Sequence, residues 1–227
     1  MTRRPEQRRE KRPICRWSLL LLMAGWFLIA LFIGEIELLS FLPGAAIPIS
    51  VLGLSAGLVS AYWLATPFRR CLEGFHLRAL ILPHLVRFVG IYFLVLHSRS
   101  LLPRQFAVPA GWGDIIIALG AVALLVIPGA WKNKTALLAW NIAGLIDILF
   151  VVKTAAAIVL FGRDSMAVMT HLPLSFLPTM IVPIIIFTHI VMLTRILART
   201  TTRRHPVQIA NTAQHTAIST EPHPLAR

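Results

Sequence analysis

Six stretches of mostly apolar residues recur along the chain, at about 17–39, 45–66, 77–96, 112–129, 136–161 and 172–197, separated by short polar or turn-forming breaks. A helix needs roughly 20 such residues to cross the hydrocarbon of a bilayer, so each run is long enough for one span. The breaks carry turn chemistry: "FLPGAAIP" divides the first two runs, "TPFRRCLEG" follows the second and "PGAWKNK" follows the fourth. The break over 101–113 is the least polar, apolar enough to dip into a membrane. Short connections between consecutive spans predict an all-α, polytopic membrane protein, an up-and-down bundle of six transmembrane helices. Residues 1–16 form a basic cytoplasmic arm in this reading, 17–197 the six-helix domain, and 198–227 a disordered cytoplasmic tail rich in Thr, Gln, His and Pro.

Composition supports an apolar solvent: 57% of the 227 residues are hydrophobic and only 14% charged, against about a quarter charged in soluble domains. The formal net charge of +13 raises nucleic acid as a partner, but the basic residues gather at the ends of the apolar runs. That placement suits anionic lipid at the cytoplasmic face and excludes nucleic acid from the reading. Seven Lys or Arg lie before the first run, three in the second connection, two in the fourth and five at the C-terminal end; the other side has only Arg99, Arg104 and Arg163. Seventeen against three puts both termini in the cytoplasm, in a cell membrane crossed several times. The first run exceeds the length of a signal-peptide core, so it reads as a retained anchor. The sequon at Asn133 then faces the cytoplasm and stays unmodified.

Small residues and prolines add packing expectations. Gly53, Gly57 and Ala61 form a GxxxG-type stripe, suited to close packing within the bundle or to a homodimer face. Pro173 fits a helix start, whereas Pro178 and Pro183 should kink the last helix. Interrupted segments do not recur at matching places in the two halves, which gives no support to an inverted repeat. Cys15 and Cys71 have neither metal-ligand nor disulfide-framework spacing, and read as inert thiols or juxtamembrane acylation sites.

Ionisable groups at membrane depth are costly and are therefore functional candidates. Arg87 lies about 15 Å into the third run and Asp147 about 16 Å into the fifth, at the usual helical rise. Opposite charges at one depth should pair, with Asn141 bonding across helices nearby. Nearer the outer face, Glu35, Glu37, Asp114 and Lys153 make an acidic mouth. Asp114, opening the fourth run after "PAGWG", also reads as a helix cap meeting the positive end of the dipole. His84 and His189 match in depth and are candidates for a proton relay. With His97 and His171 they resemble the bis-histidine layout of b-type cytochromes, which would imply haem. No other cofactor and no metal site is expected, because phosphate-loop, zinc-helix and nucleophile-elbow motifs are absent from the sequence.

These residues leave three function classes. One is a small-molecule or ion transporter or channel, with Arg87, Asp147 and Asn141 on the path and Asp114, Glu35 and Lys153 at its mouth. The second is a non-catalytic membrane scaffold or assembly protein whose charges hold the bundle. The third is a membrane-embedded enzyme or redox protein using His84 and His189.

Overall fold

The computed structural model describes residues 6–161 and 163–198, with side chains from 17 to 161 and from 166 to 198. The expectations for the basic arm's side chains and for the tail after Ala198 lie outside the described residues. Every regular element among those residues is helical. Six helices are long and apolar enough to cross a membrane: α1 (Trp17–Glu35, continuing a helix that begins at Glu6), α2 (Ala46–Leu64), α3 (Leu77–Ser98), α4 (Arg104–Val126), α5 (Lys134–Phe161) and α6 (Leu177–Ala198).

Neighbouring ends tie consecutive helices together antiparallel. Arg78, at the start of α3, donates from Nη2 to the carbonyl of Leu125 at the end of α4, 2.8 Å away. That contact satisfies a carbonyl orphaned at a helix C-terminus. Asn133 caps α5: its Oδ1 accepts from the amides of Thr135 and Ala136 at 3.1 and 3.2 Å. Arg195 of α6 donates to the carbonyls of Leu72 and Phe75, at 3.3 and 2.8 Å. The connection after α2 is an amphipathic helix, Thr66–Glu73, where the sequence suggests only turns. Its Phe68 stacks on Phe187 of α6 with ring centroids 6.0 Å apart, while Arg69 pairs with Glu73 on its exposed side at 3.8 Å. At the opposite end Trp26 of α1 donates to the carbonyl of Thr179, 2.9 Å away, and Phe27 stacks on Phe176.

Two helices depart from regular α geometry, and a third departs from its expected bounds. The middle of α3, Leu82–Phe88, is a 3₁₀ helix. Pro83 has no N–H for the i→i−4 ladder, and the tighter coil follows. Instead of simply kinking, α6 opens with a π-helical turn, Leu177–Ile181, that contains Pro178. The fourth helix begins at Arg104, eight residues before the expected start, and takes Pro109 into its interior.

Helices α3 and α4 cross where glycine faces glycine. A Cβ on Gly111 would lie 2.9 Å from the carbonyl oxygen of Gly90, and one on Gly90 would collide with the carbonyl of Gly111. Backbones this close admit no side chain between them. The stripe on α2 does the reverse: a Cβ at Gly53 or Gly57 meets nothing within 4 Å among the described residues. Packing of that stripe inside the chain is therefore corrected; its glycines face outward. Cys71 is disulfide-bonded, which corrects the reading of an inert or acylated thiol there.

Candidate functional site

The 3₁₀ segment of α3 and the crossing with α4 deliver Arg87 to the centre of the bundle. Arg87 is 2% exposed. Its Nε donates to Asp114 Oδ1 of α4 at 2.6 Å, its Nη1 to the carbonyl of Gly144 of α5 at 3.0 Å, and its Nη2 to Asp147 Oδ2 of α5. One guanidinium thus joins three helices through two carboxylates and a backbone carbonyl. The fork of donors on arginine suits this better than the point charge of lysine. Asp147 settles against Gly113, where a Cβ would collide with its Oδ1.

Asp114 is 4% exposed and ten residues inside α4. It is not a helix cap, and this corrects the sequence expectation. The buried residues of α4 include Ala107, Ala110, Gly111, Asp114, Ile117, Ala118 and Ala121, a stripe at helical spacing. Asp114 belongs to that stripe, and the helix simply starts earlier than the "PAGWG" punctuation suggests. The expected acidic mouth loses Asp114, which lies in the core. Glu35 and Lys153 are outside the cluster and contribute nothing to it, while exposed Glu37 pairs with His171 Nδ1 at 3.1 Å.

A second polar group adjoins the first through Gly144, where a Cβ would meet the His189 ring. His84, Asn141 and His189 are all fully buried. Asn141 Nδ2 donates to the His189 carbonyl at 3.1 Å, and its Oδ1 lies 2.9 Å from His189 Nδ1. Thr188 Oγ1 lies 3.2 Å from His84 Nε2. The two imidazoles touch, with centroids 4.1 Å apart, and Trp140 closes over His84 edge-on at 5.0 Å. Rings in contact leave no gap for a flat macrocycle between them. His97 bonds instead to the carbonyl of Leu102 at 3.1 Å, so the four histidines do not form two facing pairs. Trp140, Gly144 and Thr188 are the participants that sequence reasoning missed. The signal was available on α5, where Trp140, Asn141, Gly144 and Asp147 recur at one-turn spacing on one face.

Arg87 and Asp114 form the polar part of the wall of a cavity of about 100 Å³. The rest of that wall is apolar and comes from α2, α3, α4, α5, α6 and the segment before α6, including Val51, Phe93, Phe106, Ile148 and Met166. Asp147 touches Arg87 but does not line this space. Of the six pathway candidates, then, Arg87, Asp114 and Asp147 are brought together, Asn141 lies in the adjoining group, and Glu35 and Lys153 stand apart.

These features define a class: a protein that is all-helical over its described residues, with six long apolar helices and a buried charge cluster at the wall of an apolar cavity. The chain belongs to the family described as a domain of unknown function (DUF8737), which matches residues 45–197, from the start of α2 through α6. No curated protein and no solved structure matches the chain.

Proposed function

We propose that this chain is a multi-pass integral membrane protein, with both termini cytoplasmic, that moves a small molecule or ion past Arg87, Asp114 and Asp147. The outward faces support the membrane setting. Large apolar side chains such as Trp17, Leu21, Phe32, Ile49, Ile116, Val126 and Ile146 are more than half exposed, a surface that water would not tolerate. Arg78, Lys132 and Arg195 share one end of the bundle, in line with the charge asymmetry of the sequence.

The observation that carries the transport reading is the guanidinium buried between two carboxylates at the wall of a cavity. A purely structural clamp needs one anion for one cation, and it needs no space beside it. The test is a cysteine at residue 147 exposed to a hydrophilic thiol reagent in right-side-out and inside-out vesicles, with modification read at that residue by mass spectrometry. Labelling from both sides is expected. A folded protein in which residue 147 never labels would overturn the reading.

A membrane scaffold is the second reading, and one observation favours it. The Asn141–His189 pair and the bond from Trp140 Nε1 to the Ile117 carbonyl, at 2.9 Å, hold α4, α5 and α6 together away from the cavity. That group needs no ligand to explain it.

A further inference from the structure

The charge count at the cavity wall goes further than transport in general, although the assignment of a ligand rests on that reading. One guanidinium faces two carboxylates, so the ionised cluster carries one negative charge more than it can offset internally. Burial makes such an excess costly, and balance requires one further positive charge, either a proton or a cation. Asp114 is the group that can receive it from the cavity. Its Oδ1 is taken by Arg87, its Oδ2 accepts no hydrogen bond among the described residues, and it lines the open space.

The wall decides which kind of cation fits. A bare sodium or calcium ion needs a shell of oxygen ligands. Here the lining is otherwise aliphatic, aromatic and thioether, so a metal ion would lose its hydration and gain almost nothing. An organic ammonium brings an apolar body that suits this wall, so far less of its surface than a metal ion's needs polar ligands, and an N–H donor can meet the free Asp114 oxygen. Phe93 and Phe106, with centroids 5.4 Å apart, add aromatic surface to the same wall, and Met166 adds a polarisable sulfur.

We infer that the cavity binds a small organic ammonium ion, its nitrogen against Asp114 Oδ2 and its carbon body against the apolar wall, in exchange for one proton. The proton leaves the Asp114–Arg87–Asp147 cluster as the ammonium enters, so total charge is unchanged. The ionisable groups facing Asp114 are Arg87 from α3 and Asp147 from α5. From α2 and α6 the cavity wall offers apolar side chains such as Val51 and Ile185. His84 and His189 turn toward each other beyond Gly144.

The experiment uses the purified full chain in detergent with isopentylammonium as probe. Calorimetry measures binding, and a pH electrode in weakly buffered solution measures proton release. One ammonium should bind per chain with release of one proton. Excess sodium should not displace it, and neutral 3-methylbutan-1-ol should not bind. Asp114→Asn should lower affinity about thirtyfold or more, the loss expected when a buried charge partner is removed. Val152→Phe, which fills the cavity without touching a charge, should abolish binding while the thermal midpoint shows the protein folded. Absence of binding by folded wild type, undiminished affinity in Asp114→Asn, or displacement by sodium overturns the inference. If ammonium binds as described but residue 147 never labels, the transport reading fails and the binding site stands. If residue 147 labels from both sides and no ammonium binds, the ligand assignment alone fails.

Discussion

Replacing Arg87 with methionine should be the most damaging single change in the bundle core. The substitution keeps the length and apolar stem of the side chain and removes only the guanidinium. Asp114 and Asp147 then face one another with no cation, and the Gly144 carbonyl loses its donor. Breaking a buried ion pair from one side costs about 3–5 kcal/mol. For a chain of this size that corresponds to a fall of about 6–20 °C in thermal midpoint. The carboxylates should behave differently because two of them share one cation. Asp114→Asn retains an acceptor for Arg87 Nε and leaves the Arg87–Asp147 pair neutral overall, so it should cost no more than about 0.5–1.5 kcal/mol. Asp147→Asn should be similar. The double Asn variant strands Arg87 without an anion and returns to about 3–5 kcal/mol, above the about 1–3 kcal/mol to which the singles sum. The triple variant that also carries Arg87→Met should recover most of that loss. The assay is thermal unfolding of the detergent-solubilised protein followed by intrinsic tryptophan fluorescence. A double Asn variant whose loss equals the sum of the two singles would refute the shared-cation account, and so would an Arg87→Met variant within about 1 kcal/mol of wild type.

The packing carries further consequences. Asn141→Leu should cost about 1–3 kcal/mol by leaving His189 Nδ1 buried without its partner, and His189→Leu in the same chain should cost less than the sum of the two; thermal midpoints of the cycle decide. Gly111→Val should separate α3 from α4 and destabilise strongly, whereas Gly53→Val and Gly57→Val should leave the midpoint of the monomer almost unchanged because none of the described residues comes within 4 Å of a Cβ at either position. If the outward stripe on α2 is a homodimer face, those two α2 variants should shift the protein to monomer in light scattering from a mild detergent; an unchanged mass removes that partner. Reporter fusions at residues 1 and 227 should both report cytoplasm, and a periplasmic or luminal signal from either would reverse the orientation.

Much of the architecture was legible in the sequence because helices long and apolar enough to cross a bilayer announce themselves by length and apolarity above all else. Five of the six long helices fall within a few residues of the runs read from hydropathy. The exception, α4, shows where the reading loses power. In water, Pro109, Gly111 and Gly113 would punctuate a loop. Inside a helical bundle the same residues are tolerated, because neighbouring helices satisfy the freed backbone groups and small residues permit close crossing. The break "TPFRRCLEG" hid a helix for a related reason. Eight residues are too few to give a reliable period, although Phe68 and Leu72 lie one turn apart on its inner side.

The site was legible to the extent that burial made its members anomalous. Arg87, Asp147, Asn141, His84 and His189 stand out as polar residues in apolar runs, and all five lie in the two joined groups at the bundle centre. Asp114 was a candidate too, but at the mouth or as a cap and not as a partner of Arg87, because it sits close to a predicted end, where a carboxylate already has a sufficient reason to exist. The glycines mislead in the same way. Gly53 and Gly57 share one helix face and look like a contact, yet face outward; Gly90 and Gly111 lie on different helices with no shared pattern, yet bring two backbones together with no room for a side chain. Periodicity within one helix reports which residues share a face, and says nothing of what that face meets. The pairing of faces is a property of the whole bundle. In this chain it is the Gly90–Gly111 crossing that turns a plausible Arg–Asp pair into a cluster with one carboxylate to spare.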